Sequence, residues 1–83
     1  MELKFTRYFQ EIVAKKRPYL IPFIKYAIQN SEYEESQDDG RMRYYAFISE
    51  INQYVRVVEE ANGEILNIME DPDYLIRKNK RLL

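Results

Sequence analysis

The residues best suited to chemistry are three arginines and two tyrosines that strand alternation gathers on one face. In "QDDGRMRYYAF", Gln37 to Phe47, Arg41 and Arg43 stand two apart in a run rich in aromatic and β-branched residues, a strand-like composition. Arg56 stands in a second such run, "YVRVVEE". Successive strand residues point to opposite faces. Met42, Tyr44, Ala46 and Ile48 therefore share one face with Val55 and Val57, and with Leu66 and Ile68 of a third run, "EILNIME". Arg41, Arg43, Tyr45 and Phe47 share the other with Tyr54, Arg56 and Val58, and with Ile65, Asn67 and Met69. Guanidinium forks on adjacent strands hold phosphate oxygens, and tyrosines beside them stack on bases. The second face also has a plainer description. Arginine stems cover its apolar members, tyrosines pair across strands, and the surface is solvated or receives a partner protein.

Lys15, Lys16 and Arg17 add positive charge where a first helix ends. A helix C-terminus favours such residues in any case, because cations offset its dipole. The acidic run from Glu32 to Asp39 reads as a solvated loop. The chain has no cysteine and no histidine, which excludes disulfides, thiolate or imidazole metal ligands and a histidine general base. Its carboxylates lack calcium-loop spacing, and no phosphate loop or nucleophile–base pair is present, so neither metal nor cofactor is expected. The 83 residues make a single domain, 46% hydrophobic and 33% charged, as globular chains are. No apolar run approaches the roughly 20 residues that span a bilayer, and "MELKFTRYF" lacks the apolar centre of a signal peptide. A cytoplasmic protein without a membrane partner is expected. The net charge of −1 is unevenly spread: residues 1–30 hold six cations against two carboxylates, residues 31–63 three against eight. A uniformly basic nucleic-acid binder is not patterned in this way.

These side chains need elements to position them. "LKFTRYF" alternates briefly as a first strand would, and Thr6 suits a helix N-cap. The spacing then places Tyr8, Phe9, Ile12 and Val13 on one helical face, and Pro18 ends that helix at Arg17. A second helix is predicted from near Ile21, with Pro22 in its first turn and Phe23, Ile24, Ala27 and Ile28 buried. A loop with a short edge strand near Glu32–Ser36 follows. Three strands succeed it, joined by a turn over Glu50–Gln53 and a hairpin loop at "ANG". Asp71-Pro72 is set to cap and start a short C-terminal helix, fraying from about residue 78. The fold class is α+β: one or two N-terminal helices packed on an antiparallel three- to four-stranded sheet.

Two pieces, "FTRYFQEIVAKKRPY" and "QDDGRMRYYAFI…YVRVVEE…GEILN", together resemble a family of short, mostly uncharacterised bacterial proteins common in cyanobacteria. The matching positions are Lys16, Arg17, Pro18 and Tyr19, then Asp39, Gly40, Arg41, Arg43 and Tyr44, then Arg56, Val57, Val58 and Asn67. That family in turn resembles the RelE/BrnT-type toxins, small α+β proteins whose characterised members are ribonucleases paired with antitoxins. The resemblance implies a metal-independent endoribonuclease with Arg43, Arg56 and Tyr45 as catalytic residues. Lys15, Lys16, Arg17, Arg41, Tyr54 and Asn67 would then contact RNA. It implies a small antitoxin-like partner, and leaves the group that takes the ribose 2′-hydroxyl proton unassigned. The alternative is a non-catalytic protein-interaction module, or a homodimer, that uses Phe47, Ile65 or Met69.

Overall fold

The computed structural model describes residues 2–82. Thr6 caps the first helix, its Oγ1 accepting the Phe9 N–H at 3.0 Å. Helix α1 is a π-helical turn, Phe9–Val13, continued by α-helical Ala14–Lys16. The i→i+5 bonds of the π turn set Phe9 and Val13 nearly one above the other. Only these two are buried, while Tyr8 and Ile12 are half-exposed, so the expected four-residue stripe narrows to two. Arg17 leaves helical geometry at φ −133° ahead of Pro18. The next segment departs from expectation. Pro18–Phe23 forms a tighter 3-10 helix with Pro22 inside it, and helix α2, Ile24–Gln29, begins only where both prolines are past.

Four antiparallel strands follow in chain order: β1, Tyr33–Ser36, β2, Met42–Ile48, β3, Gln53–Glu59, and β4, Ile65–Glu70. The β1–β2 turn ends on Gly40 at φ 87°, where a methyl group would lie 3.0 Å from the Ala61 Cβ. Asn52, at φ 51°, closes the 3-10 turn Ser49–Ile51 between β2 and β3. The strand expected in "LKFTRYF" is reduced to one parallel bridge, Phe5 to Ile65. The Thr6 N–H donates to the Ile65 carbonyl at 3.0 Å, and the Ile65 N–H donates to the Lys4 carbonyl at 2.7 Å.

One face of the sheet meets the N-terminal helices. Phe9, Val13, Leu20, Ile24 and Ala27 pack there against Ala46, Ile48, Val55, Val57, Ile65 and Ile68. Ile65 contradicts strict alternation. The register pairs Val58 with Asn67 but Glu59 with Ile65, so Leu66 is the extra residue of a β-bulge. The bulge returns Ile65 to the core, where it is 1% exposed, and takes it off the outer face.

That outer face carries a second cluster, Tyr45, Tyr54 and Tyr74. Tyr74 opens helix α3, Tyr74–Leu82, two residues later than the Pro72 start that Asp71-Pro72 chemistry predicts. The Asp71 carbonyl accepts the Tyr74 N–H at 3.2 Å, while its carboxylate turns to arginines instead of capping. The sheet thus lies between α1 and α2 on one side and α3 on the other. Among the described residues, no helix is long and apolar enough to cross a membrane.

Candidate functional site

Register fixes the grouping on the outer face. Tyr45 lies directly opposite Arg56, which lies opposite Met69; Arg43 lies opposite Val58, which lies opposite Asn67. Arg43, Tyr45, Arg56 and Asn67 are therefore brought together, as alternation predicts. Arg41 ends the same row and is held by Glu60 at 3.1 Å and Asp39 at 3.6 Å. Lys15, Lys16 and Arg17 do not join them. They end α1, which packs on the opposite face of the sheet.

The guanidiniums are partly neutralised. Arg43 approaches the Glu35 carboxylate at 3.5 Å. Arg56 faces Asp71 at 3.8 Å and touches the Met69 sulfur at 2.6 Å. Arg77, from α3, closes on Asp71 at 2.5 Å and stands over the Tyr45 ring at 5.9 Å. With Arg41 and its partners included, four guanidiniums face four carboxylates, Glu35, Asp39, Glu60 and Asp71, so the charges of this face balance. Among the described residues, two buried side-chain polar atoms have no hydrogen-bond partner: Arg56 Nε and Asn67 Oδ1. One is a donor and the other an acceptor, on neighbouring strands of this face. Buried polar groups are ordinarily paired, so both are unusual. No pocket forms among the described residues.

The tyrosines are covered. Tyr74 stacks on Tyr45 with ring centroids 4.7 Å apart and planes 16° from parallel, and meets Tyr54 at 4.7 Å. Tyr45 and Tyr54 are 3% and 9% exposed, so neither offers a ring to a base while α3 is docked, contrary to expectation. Glu32 ties the cluster down. It accepts hydrogen bonds from the hydroxyls of Tyr54 at 3.0 Å and Tyr74 at 3.2 Å, and pairs with the Lys78 ammonium at 2.6 Å. Glu32, Asp71, Tyr74, Arg77 and Lys78 were not legible as members of this face. Asp71 reads as a cap and Glu32 as one acid in a solvated loop, and only the docking of α3 joins them.

Burial alone would raise the Glu32 carboxyl, but hydrogen bonds from Lys78, Tyr54 and Tyr74 outweigh it and hold the group below its ordinary value. Burial and the bond to Glu32 push the Tyr54 hydroxyl up. A carboxyl with a lowered folded-state pKa stabilises fully above its unfolded value, and that contribution is lost as pH falls through the folded one. Docking of α3 is therefore expected to weaken below about pH 4.5, the ordinary value of the group. Near-ultraviolet circular dichroism of the tyrosines checks this. The transition should flatten in Glu32→Gln, and an identical acid titration in that variant would refute the assignment.

Compared with protein-family models, curated proteins and solved structures, the chain matches none.

Proposed function

We propose that this is a RelE/BrnT-like, RNA-directed protein that holds the ribose-phosphate backbone on its outer sheet face through Arg43, Arg56 and Asn67. The observation that carries the reading is the placement of two partly exposed guanidiniums, Arg43 and Arg56, on neighbouring strands of one face, their side chains 33% and 25% exposed. A phosphate oxygen accepts from the guanidinium, and the partly exposed Asn67 amide meets the ribose 2′-hydroxyl. A deoxyribose lacks that hydroxyl, so Asn67 selects RNA over DNA. Arg43, one row away, adds a second guanidinium for the same phosphate.

Fluorescence anisotropy with a labelled single-stranded RNA, and with DNA of the same sequence, tests this. The wild-type chain should bind RNA with an affinity that falls as salt rises. Arg43→Ala with Arg56→Ala should weaken binding about tenfold or more, since hydrogen bonds to charged groups are worth about 1.5–3 kcal/mol each. Asn67→Ala should narrow the preference for RNA over DNA. A wild-type chain that leaves RNA unbound at low salt removes the reading. A denaturing gel of the same mixtures separates binding from cleavage. In the toxin-type version, expression slows growth and a small antitoxin-like partner restores it.

A second reading, a protein-interaction module or homodimer, is favoured by exposed apolar side chains. Phe47 is 41% exposed on the outer face, and Leu75 and Ile76 are 48% and 57% exposed on α3. Size-exclusion chromatography of wild type and Phe47→Ser tests it. A complex or dimer that survives the substitution counts against this surface.

A further inference from the structure

The two oxygens of Glu32 are used differently. Oε1 accepts from Tyr54, on β3, at 3.0 Å. Oε2 takes Tyr74 at 3.2 Å and Lys78 at 2.6 Å, and both of these belong to α3. The Tyr74 ring meanwhile lies 4.7 Å from Tyr45 and only 16° off parallel, as a base lies on an aromatic platform. Directly across the strands from Tyr45 stands Arg56. If α3 leaves the sheet, three things are released together: the Tyr45 ring face, the Tyr54 ring edge and one carboxylate oxygen at the end of the slot.

We propose that Tyr74 holds the place of a nucleobase, and that Tyr45, Tyr54 and Glu32 form a base-binding subsite that opens when α3 undocks. This rests on the RNA-backbone reading above and names the base that accompanies the phosphate. A carboxylate accepts N–H donors and repels carbonyl oxygens. Guanine fits it, because its ring N–H and amino group are adjacent donors, either of which reaches the freed Oε2 while Oε1 keeps Tyr54. Uracil fits poorly, since its single N–H is flanked by two carbonyls. The ligand class is therefore single-stranded RNA bearing guanosine, with its base on Tyr45 and its phosphate on Arg56. The helix that covers the subsite is held by Tyr74, by Lys78 on Glu32 and by Arg77 on Asp71.

The test uses the full chain and two probes, a fluorescein-labelled oligouridylate and the same oligomer with one central guanosine. Lys78→Glu reverses the contact with Glu32 while leaving the tyrosines in place; Tyr74→Ala removes the placeholder itself. Each variant should bind the guanosine probe about tenfold tighter than wild type, with less than about a twofold change on oligouridylate. Adding Glu32→Gln to Lys78→Glu should abolish the guanosine preference. If Tyr74→Ala fails to fold by circular dichroism, Lys78→Glu decides alone. Variants with wild-type affinity for both probes, beside a wild type whose binding needs Arg56, overturn the subsite and leave the backbone reading intact. A wild type and variants that all leave both probes unbound overturn the two together.

Discussion

Ile65→Ala is expected to cost about 2–5 kcal/mol, as large-to-small changes in packed cores do. Leu66→Ala, at the neighbouring position, is expected to cost under about 1 kcal/mol. A core of this size rarely supplies more than about 3–5 kcal/mol, so the first substitution should leave much of the protein unfolded at room temperature. The contrast follows from the bulge, which sends Ile65 inward to 1% exposure and makes Leu66 the extra residue. Urea denaturation followed by far-ultraviolet circular dichroism measures both. Equal losses, or a larger loss at Leu66, would show that β4 keeps strict alternation.

Asp71→Ala is expected to cost about 2–3 kcal/mol and to release α3. Removing one partner from a fully buried ion pair costs about 3–5 kcal/mol, and the lower figure allows for solvent reaching the arginines. Asp71 is 8% exposed at its side chain, while Arg77 and Arg56 are 42% and 25% exposed. Without the carboxylate, two guanidiniums face one another with nothing between them. The tyrosine near-ultraviolet signal should disappear at lower urea than the far-ultraviolet signal of the sheet. Arg77→Ala should cost less, because Asp71 keeps Arg56. Coincident transitions and an unchanged midpoint in Asp71→Ala would mean that the ion pair does not hold the helix.

The two substitutions probe the places where reading the sequence goes wrong. Alternation in β2 and β3 is simple, and it correctly separates Ala46, Ile48, Val55 and Val57 from Tyr45, Tyr54 and Arg56. It fails in β4 because a bulge adds one residue without any local mark, Leu66 being as strand-like as its neighbours. Thr6 as a cap and Pro18 as a terminator are legible because each acts through its own backbone neighbours. The cluster around Glu32 is not, because its members come from β1's approach, β3 and α3 and meet only by tertiary docking. Arg56 and Asn67 could be placed on one face from parity alone. That their polar atoms lie buried and unpaired is a property of packing, which no spacing encodes.

The meander also sets an order in time. Each strand pairs with its neighbour in sequence across a short connection, so the sheet assembles from local contacts, the arrangement that folds fastest. The bridge between Phe5 and Ile65 is of another kind, since it joins the N-terminal segment to the last strand and closes a long loop that runs from Phe5 to Ile65. Seating of the N-terminal segment therefore follows hairpin formation, and until it happens the β4 edge is bare. During that interval both sides of the nascent sheet can pair with another chain. In the finished fold the bridge covers β4 at Ile65, and the opposite edge is β1, short and fronted by Glu34 and Glu35. The N-terminal segment thus acts as a late bolt that limits how long the newly made chain is open to aggregation.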